Sequence, residues 1–323
     1  MKNIQQAPIQ KGTKVFIRLD MDVPIVDGNI GETYRLEAGL PTIKYVLQQG
    51  GIPVLAGHMG QPEGVVDEKL STKQLLPYFN QHLGENNFEL LENLRFNTGE
   101  EENSPEYSKE LASKADIYVN ESFATSHRKH ASIVGIPSIL PSFAGLRLQK
   151  EITILEKVKK DSKKPFIVII GGAKLESKLP VIDTFLKLSD AVLIGGKLGI
   201  EWENLKKEIP GNLYIPTDYA QDKKDIGSET IKKFVQIIST AKTILWAGPL
   251  GLYEDPQFIT GTKEISEAIT NNKDVWSIIG GGDTVAAVSS LNLLDKFNFA
   301  STGGGAMLEF LAKDTLPGIE ALQ

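Results

Sequence analysis

Cysteine is absent from the 323-residue sequence, which excludes disulfides, thiolate metal ligands and cysteine nucleophiles. The sequence also has no apolar run long enough to span a membrane, and its opening stretch, MKNIQQAPIQKGTK, lacks the apolar core of a signal peptide. A formal net charge of −6 argues against nucleic acid as the main partner. We therefore expect a cytoplasmic protein that contacts neither membranes nor nucleic acids.

Arginine and histidine do not occur after residue 150, where every cation is a lysine and the glycine clusters begin. Arginine suits a bidentate grip on carboxylate or phosphate, whereas glycine-rich turns with lysine suit nucleotide phosphates. The split suggests two halves that hold two different anionic ligands; a chance distribution of so few residues is the alternative. The residues concerned are Arg18, Arg35, Arg95, Arg128 and Arg147, and His58, His82, His127 and His130.

The length suits two domains, and a hydrophobic content of 41% is enough for two cores. Short apolar runs end in glycine or polar loops and are followed by helical patterns, which indicates parallel sheets whose carboxyl edges hold ligands. We predict an α/β fold with two doubly wound, Rossmann-like parallel-sheet domains joined by a helix hinge. The predicted strands are Lys14–Arg18, Ile52–Ala56, Glu89–Leu91, Asp116–Val119, Phe166–Ile170, Ala191–Ile194, Thr243–Leu245, Val275–Ile279 and Phe299–Ser301.

The stretch Val275–Val288, VWSIIGGGDTVAAV, carries the strongest ligand signal. A β-branched run stops at three glycines and is followed by Asp283, Thr284 and a helix-compatible segment. Consecutive glycines let the backbone approach an anion, and Asp283 is placed where a phosphate-bound Mg²⁺ would sit. An ordinary strand-to-helix turn is the alternative interpretation.

Polar side chains also follow the predicted strands of the first half. Asp20 and Asp22 come after the first strand, His58 after the second, and the basic run 126–130 after the fourth. A solvated basic turn is the alternative for that run, but the company of Arg35 and His58 favours an anion site.

The stretch Ala144–Lys160 has a long helical pattern and separates the arginine half from the glycine half. We expect it to be the connector between domains, although a packed surface helix would show the same pattern. None of the glycine clusters is a GxxxxGK[ST] loop or a GxGxxG with an acidic residue at nicotinamide spacing, which disfavours a dehydrogenase.

Several long motifs occur in one order along nearly the whole chain, and they resemble the phosphoglycerate kinase family. They are RLDMDVP, TYRLEAGLPTI, GHMGQPEG, LLENLRFNTGEE, VNESFATSHRKHAS, PFIVIIGGAKLESK, WAGPLGLYE, IIGGGDT and STGGGAMLEFL. The resemblance implies a monomeric hinge enzyme of glycolysis and gluconeogenesis, which transfers a phosphoryl group between 1,3-bisphosphoglycerate or 3-phosphoglycerate and ADP or ATP with Mg²⁺.

The resemblance also implies domains and site residues. Residues 1–148 would hold 3-phosphoglycerate, residues 149–305 the Mg-nucleotide, and residues 306–323 would return to the first domain. The implied catalytic residues are Arg35, Lys174 and Lys178, and the implied metal ligand is Asp283. The implied substrate contacts are Asp20, Met21, Asp22, Arg35, His58, Gly60, Gln61, Arg128 and Lys164. The implied nucleotide contacts are Gly172, Ala173, Lys174, Lys178, Gly195, Gly196, Pro249, Glu254, Gly281, Gly282, Asp283 and Thr284.

The chain departs from the family pattern at four positions: Asp22 replaces asparagine, Gln61 and Lys164 replace arginines, and Ala247 replaces asparagine. The region between Gly196 and Trp246 is also compressed, so we expect a shallower base pocket. Three interpretations remain open: an active, minimal phosphoglycerate kinase, a nucleotide-binding member that has lost catalysis and serves as a binding or regulatory module, and a related kinase for a different acidic acceptor.

Overall fold

The computed structural model describes residues 1–173, 175–205 and 208–323, with the side chain of Ser177 outside the description. The chain forms two compact units. The first comprises Met1–Leu155 together with Lys313–Gln323, and the second comprises Glu156–Ala312. The C-terminal residues therefore lie with the first unit, and both boundaries fall a few residues after those expected at 148 and 305.

The first unit is built on a five-stranded sheet in which all neighbours run parallel. Counted in chain order, its strands lie in the order 3-2-1-4-5, which is doubly wound. A small hairpin and helices complete the unit. The strands are β1 (Lys14–Arg18), the hairpin β2 (Ile25–Val26) and β3 (Asn29–Ile30), β4 (Ile52–Ala56), β5 (Glu89–Leu90), β6 (Ile117–Asn120) and β7 (Ser142–Ala144); the helices are α1 (Tyr34–Gln48), α2 (Leu76–Leu83), α3 (Thr98–Glu101), α4 (Pro105–Ala112) and α5 (Leu146–Asp161).

The second unit contains a six-stranded parallel sheet whose strands, counted in chain order, lie in the Rossmann order 3-2-1-4-5-6. Its strands are β8 (Phe166–Ile170), β9 (Ala191–Ile194), β10 (Leu213–Tyr214), β11 (Thr243–Ala247), β12 (Trp276–Gly280) and β13 (Phe299–Ser301). Its helices are α6 (Leu175–Leu188), α7 (Lys197–Asn204), α8 (Ser228–Ser239), α9 (Thr260–Asn271), α10 (Gly282–Ser290) and α11 (Gly304–Lys313); α12 (Pro317–Glu320) belongs to the first unit.

The predicted fold class is confirmed. The central strands β8 and β11 are buried along their whole length and β1 from its second residue on, which is why these strands read as near-continuous apolar runs rather than alternating ones. Four short strands were not predicted: the hairpin strands β2 and β3, and the strands β7 and β10. Each is only two or three residues long, too short for a period-2 pattern.

The predicted connector is a single helix, α5, which begins at Leu146 and ends at Asp161 and so continues past the boundary after Leu155. The carboxylate of Glu121 accepts hydrogen bonds from the backbone amides of Arg147 and Leu148 in its first turn. In the described part of the chain, no helix combines the length and apolarity needed to cross a membrane.

Candidate functional site

Strand register brings the polar residues of the first unit to one edge of its sheet. Arg18, the last residue of β1, pairs with Ala56 at the end of β4 and with Asn120 at the end of β6. The residues that follow these three strands therefore leave the sheet at one level. The chain begins the sheet with β1 and adds later strands on either side of it, so the strand order reverses at β1. Doubly wound sheets bind ligands at the carboxyl end of the strands at such a reversal.

Asp20 is buried at this edge and is held by the segment after β6. Its carboxylate accepts a hydrogen bond from the hydroxyl of Ser122 and another, 3.3 Å long, from the backbone amide of Ala124. Asp20 thus joins two neighbouring strand ends. Both donors occupy its oxygens, so Asp20 serves to fix the loop as much as to face a ligand.

Asp22 joins three elements at the same edge. Its Oδ1 accepts a 2.9 Å hydrogen bond from the amide of Gly60, and its Oδ2 lies 3.6 Å from Nη1 of Arg35. The same Nη1 donates to the carbonyl of Asp22. The cation that offsets the charge of Asp22 is therefore Arg35, at the start of α1.

His58 is 5% exposed, and its Nδ1 lies 3.0 Å from Nη2 of Arg18. Burial and the neighbouring guanidinium groups of Arg18, Arg95 and Arg35 hold the pKa of His58 well below its ordinary value. Burial, Arg95 and Arg18 likewise lower the pKa of His130 to about 3. The positive charge of this edge therefore comes from arginines, because both histidines are neutral near pH 7.

Arg95 belongs to this cluster and was not among the predicted site residues. It is buried, its Nη1 donates a 2.8 Å hydrogen bond to the carbonyl of Gly60, and its Nε lies 3.4 Å from Glu101. The available signal was the motif Glu92–Phe96, where a polar stretch follows a short predicted strand. Arg18 was also missed, although a charged residue at the end of an apolar strand was visible in KVFIR.

The remaining predicted substrate residues differ in their exposure and in the unit to which they belong. Gln61 and Arg128 are exposed, and Arg128 lies close enough to His130 to help lower its pKa. The side chain of Met21 is buried in the core, which leaves its main chain for ligand contact. Lys164 lies outside the unit that contains this cluster. It belongs to the second unit at the amino end of β8, where its Nζ donates to the carbonyl of Leu188 and pairs with Asp190 at 3.2 Å.

In the second unit the loops after β8 and β11 pack backbone against backbone. Gly171 donates to the carbonyl of Ala247 and Gly172 to that of Pro249, at 2.9 and 3.0 Å. A Cβ atom on Gly171 would lie 2.1 Å from the carbonyl oxygen of Pro249. Only glycine permits this close approach of the two loops. Together the loops form the floor of a crevice at the carboxyl edge of the sheet, at the point where the strand order reverses.

A cavity of about 500 Å³ opens over this floor. Six of the predicted nucleotide residues line it, on loops that follow β8, β9, β11 and β12. They are Gly172, Ala173, Gly196, Pro249, Glu254 and Asp283. The volume is in the range of small-molecule and cofactor pockets. Lys174 also belongs to the prediction and lies outside the described residues.

The other predicted nucleotide residues support the cavity rather than line it. Gly281, with φ of 101°, forms the N-cap of α10, and Gly282 begins that helix. Thr284 is buried, and its hydroxyl accepts a 2.7 Å hydrogen bond from the amide of Gly248. Gly195 lies beneath the loop after β11, where a Cβ would contact the side chain of Leu250 at 2.4 Å.

Lys178 and Asp283 are electrostatic neighbours. Burial lowers the pKa of Lys178, and the negative charge of Asp283 opposes that shift. Asp283 lies in the first turn of α10, whose amides form the positive end of the helix dipole. The arrangement supplies a cation, a carboxylate and free backbone amides side by side, as a metal-bound polyphosphate would require.

The wall of the cavity contains residues that the sequence interpretation did not identify. They are Lys197, Ile200, Asp222, Lys223, Lys224, Gly251, Leu252 and Tyr253. Lys197 was visible as the residue after Gly195-Gly196, but nothing in the sequence marked 222–224. The segment 222–224 lies between Gly196 and Trp246, the region that the sequence interpretation took to be compressed, and it forms part of the cavity wall. The shallower base pocket expected there stays a prediction.

The described residues contain no cluster of three or more acidic or histidine side chains that would hold a metal by themselves. This fits Mg²⁺ bound to a nucleotide, because Mg²⁺ is commonly held by one or two carboxylates plus substrate phosphates rather than by an all-protein cage. Asp283 supplies such a carboxylate inside the cavity.

Two doubly wound units, one with an arginine-rich edge and one with a glycine-floored cavity and an acidic residue, define the class of two-domain α/β kinases. The comparisons with known proteins agree. A family model described as phosphoglycerate kinase matches residues 4–89, 80–208 and 203–314. The chain belongs to the phosphoglycerate kinase family.

Similar proteins cover nearly the whole chain. The phosphoglycerate kinase of Dictyoglomus turgidum is 38% identical over 97% of this chain and 96% of its own length, and that of Leptospira biflexa is 36% identical over the same shares. The first alignment spans 380 positions, more than the 323 residues here, so this chain lacks residues that the relative has. Among solved structures, phosphoglycerate kinase from Pyrococcus horikoshii has a TM-score of 0.85 at 28% identity, covering 100% of this chain and 98% of its own, and that from Coxiella burnetii has 0.80 at 27%, covering 99% and 98%.

Proposed function

We propose that this chain catalyses the reversible transfer of a phosphoryl group between 1,3-bisphosphoglycerate and ADP, giving 3-phosphoglycerate and ATP, in glycolysis and gluconeogenesis. The observation that carries the proposal is the pairing of two unlike anion sites in one chain. Each site lies at the point where the strand order of its own sheet reverses. The site in the first unit is rich in arginine, and the floor of the site in the second unit is made of glycine loops. A single-ligand protein has no use for both.

On the acceptor side, Arg35, Arg95 and Arg128 supply the positive charge for a ligand that carries a carboxylate and a phosphate. Guanidinium groups bind such groups bidentately and stay charged at any physiological pH. His58 adds a neutral side chain between them. Because Asp22 neutralises part of the charge of Arg35, this site is weaker than its arginine count suggests.

On the nucleotide side, the backbone at Gly172, Ala173 and Gly196 would follow the phosphates, and Glu254 would contact the ribose. Asp283 would hold the Mg²⁺ that accompanies the nucleotide and offsets its phosphate charge. Lys178, and Lys174 from outside the described residues, would stabilise the migrating phosphoryl group.

The reaction needs positioning and positive charge more than covalent help. Phosphoryl transfer passes through a loose transition state with charge on the equatorial oxygens, so cations at those oxygens accelerate it. The proposal includes closure of one unit on the other during turnover, because the two reactants would bind to different units and water must be excluded.

A coupled assay with 3-phosphoglycerate and MgATP tests the function, with calorimetric binding of each ligand measured in parallel. We expect turnover and binding of both ligands. Binding of MgATP without turnover would favour a regulatory or binding module. Turnover with another acidic acceptor, but none with 3-phosphoglycerate, would favour the related kinase.

A further inference from the structure

Arg18 is the largest charged side chain that the structure buries completely. It ends β1 in the middle of the sheet of the first unit. Its guanidinium donates to the hydroxyl of Ser132 at 2.9 Å through Nε, to the carbonyl of Leu19 through Nη1, and lies 3.0 Å from Nδ1 of His58 through Nη2. None of these acceptors is a carboxylate, so a direct ion pair is not what keeps Arg18 in place.

The guanidinium is itself held in a fixed orientation. The hydroxyl and the amide of Ser132 donate to the two carboxylate oxygens of Glu100, at 2.6 and 3.0 Å, and Glu100 is fully buried. Glu100 thereby orients the Ser132 hydroxyl so that its lone pair faces Arg18 Nε. These buried hydrogen bonds restrict the orientation of the guanidinium.

The contact with His58 determines where the imidazole proton lies. A guanidinium has five N–H donors and no acceptor, and it does not lose its proton in proteins. The Nδ1 atom of His58 must therefore accept the hydrogen bond from Arg18 and carry no proton. In a neutral imidazole the single proton is then on Nε2.

We propose that Arg18 is a positioning residue that holds His58 as the neutral Nε2–H tautomer, so that His58 presents a donor to the anionic acceptor substrate. The inference rests on the proposed function for the identity of that substrate. An imidazole of the other tautomer would turn a lone pair towards carboxylate or phosphate oxygens and repel them. A protonated imidazole would add charge but would lose its contact with Arg18.

The surroundings of His58 also oppose a second proton. The charged or titratable groups that face it are Arg18 on β1, Arg35 on α1, Arg95 after β5 and His130 after β6. These neighbours and burial lower its pKa. Protonation of His58 should therefore contribute nothing to substrate affinity near neutral pH.

The test is ¹⁵N NMR of the ligand-free full chain with labelled histidine, assigned with His58→Gln and recorded from pH 5 to 8. We expect His58 to show an unprotonated Nδ1 and a protonated Nε2 throughout. His82 is an internal control for the opposite case, because its Nδ1 lies 2.8 Å from the carbonyl of Tyr78, which can only accept. A proton on Nδ1 of His58, or a titration within that range, would overturn the proposal.

The variants Arg18→Met and Arg18→Lys separate positioning from folding. Arg18→Met should give His58 a mixture of tautomers and raise the KM for 3-phosphoglycerate by about ten- to a hundredfold, the loss expected for a charge-assisted hydrogen bond, while kcat changes less. Arg18→Lys keeps a cationic donor and should recover part of the tautomer signal and part of the wild-type KM.

An unchanged His58 spectrum in folded Arg18→Met would refute the positioning role. If that variant does not fold, the wild-type spectrum alone decides. Because the spectrum needs no substrate, a chain without turnover that still shows the Arg18-dependent tautomer would contradict only the proposed function.

Discussion

Asp22 is the residue at which this chain differs from its family with the clearest structural consequence. Its carboxylate does two things: it accepts from the amide of Gly60, and it pairs with Arg35. An asparagine in its place would keep the first contact and lose the charge of the second. The negative charge therefore competes with an anionic substrate for Arg35.

We expect Asp22→Asn to lower the KM for 3-phosphoglycerate by up to about fivefold at low ionic strength, since a partly exposed ion pair is worth up to about 1 kcal/mol. The effect should shrink as salt is added, because the competing charges are screened. Initial-rate kinetics at two salt concentrations measure it.

Asp22→Ala is the matched variant, since it removes the charge and also the acceptor for Gly60. It should not reproduce the full gain, because the loop 57–61 loses an anchor. A higher KM in Asp22→Asn would show that Asp22 orients Arg35 for the substrate rather than competes with it.

Asp283 is the residue on which the nucleotide site depends most. It lines the cavity, lies in the first turn of α10 and neighbours Lys178. Asp283→Ala should reduce kcat at least a hundredfold and weaken Mg-dependent binding of ATP, because the metal would lose its protein carboxylate. Steady-state kinetics and calorimetry with and without Mg²⁺ measure this.

Asp295→Ala is the control for that change, because Asp295 is exposed in the same unit and its removal alters the net charge equally. Circular dichroism and melting temperature should be unchanged in both variants. Normal turnover in Asp283→Ala would exclude a role in metal binding.

At the scale of elements, the start of α5 is controlled by a buried carboxylate. Glu121 accepts from the hydroxyl of Thr42 and from the amides of Arg147 and Leu148. Gly145 is required beside it, since a Cβ there would lie 1.9 Å from a carboxylate oxygen. The cap thus links α1, the end of β6 and the helix that continues into the second unit.

Burial raises the pKa of Glu121 to about 8, although its hydrogen bonds act to lower it. An unfolded glutamate titrates near 4.5, so between about pH 4.5 and 8 the folded state binds more protons than the unfolded one. This carboxyl therefore makes the free energy of unfolding fall as pH rises through that window. In Glu121→Gln this contribution should vanish, as urea unfolding at pH 5, 6.5 and 8 would show.

Glu110→Gln, an exposed change in the same unit, is the control and should keep the wild-type pH dependence. Equal slopes in wild type and Glu121→Gln would mean that the carboxylate stays ionised at pH 5. The three hydrogen bonds that Glu121 accepts would then lower its pKa by more than burial raises it.

The segment 222–224 forms part of the wall of the cavity in the second unit, where the proposed function would place a nucleotide. Asp222 and Lys223 both have positive φ, of 57° and 56°, and the carbonyl of Lys224 accepts a hydrogen bond from the amide of Leu252, another residue of the cavity wall. A lysine ammonium is a mobile donor, which can reach N7 of either purine or O6 of guanine. The wall therefore offers little shape-based discrimination.

We expect kcat/KM for ATP and GTP to differ by less than about a hundredfold, because larger ratios require fixed contacts to the base. The double variant Lys223→Ala, Lys224→Ala should raise KM for both nucleotides, whereas Lys233→Ala on α8 should not. A strong ATP preference that survives the double change would place base recognition elsewhere.

At the scale of the whole molecule, regular structure was predictable and side-chain partners were not. Strands such as Lys14–Arg18 and Phe166–Ile170 were predicted to the residue, because burial on both sheet faces leaves a continuous apolar run. The glycine loops were recognisable because close backbone approach demands glycine at each one.

The tertiary network around Arg18 could not be read from the sequence. Ser132 and Glu100 are far from it along the chain and meet it only through the sheet order and the turn after β6. The segment 222–224 was not predicted for a different reason: it belongs to none of the motifs on which the resemblance rests. Lys164 is a further case: its position in a motif suggested a substrate contact, which stays a prediction, but the sequence did not indicate that its ammonium would bind the carbonyl of Leu188 and Asp190 beside β8.

Two buried histidines should make the molecule as a whole sensitive to acid. The folded-state pKa values of His58 and His130 lie below the ordinary 6.5, that of His130 at about 3. Below pH 6.5 these two histidines therefore bind protons in the unfolded chain but not in the folded chain. The free energy of unfolding then falls as pH is lowered, by at most about 1.4 kcal/mol per pH unit for each histidine. In His130→Gln this loss between pH 6.5 and 4 should be smaller than in wild type. The matched control is His82→Gln, a change at a half-buried position on α2, which should retain the loss. Urea unfolding across the range measures the slopes. If His130→Gln is as acid-sensitive as the parent, His130 is already charged in the folded state at pH 5, and the candidate site would carry one more positive charge than its arginines supply.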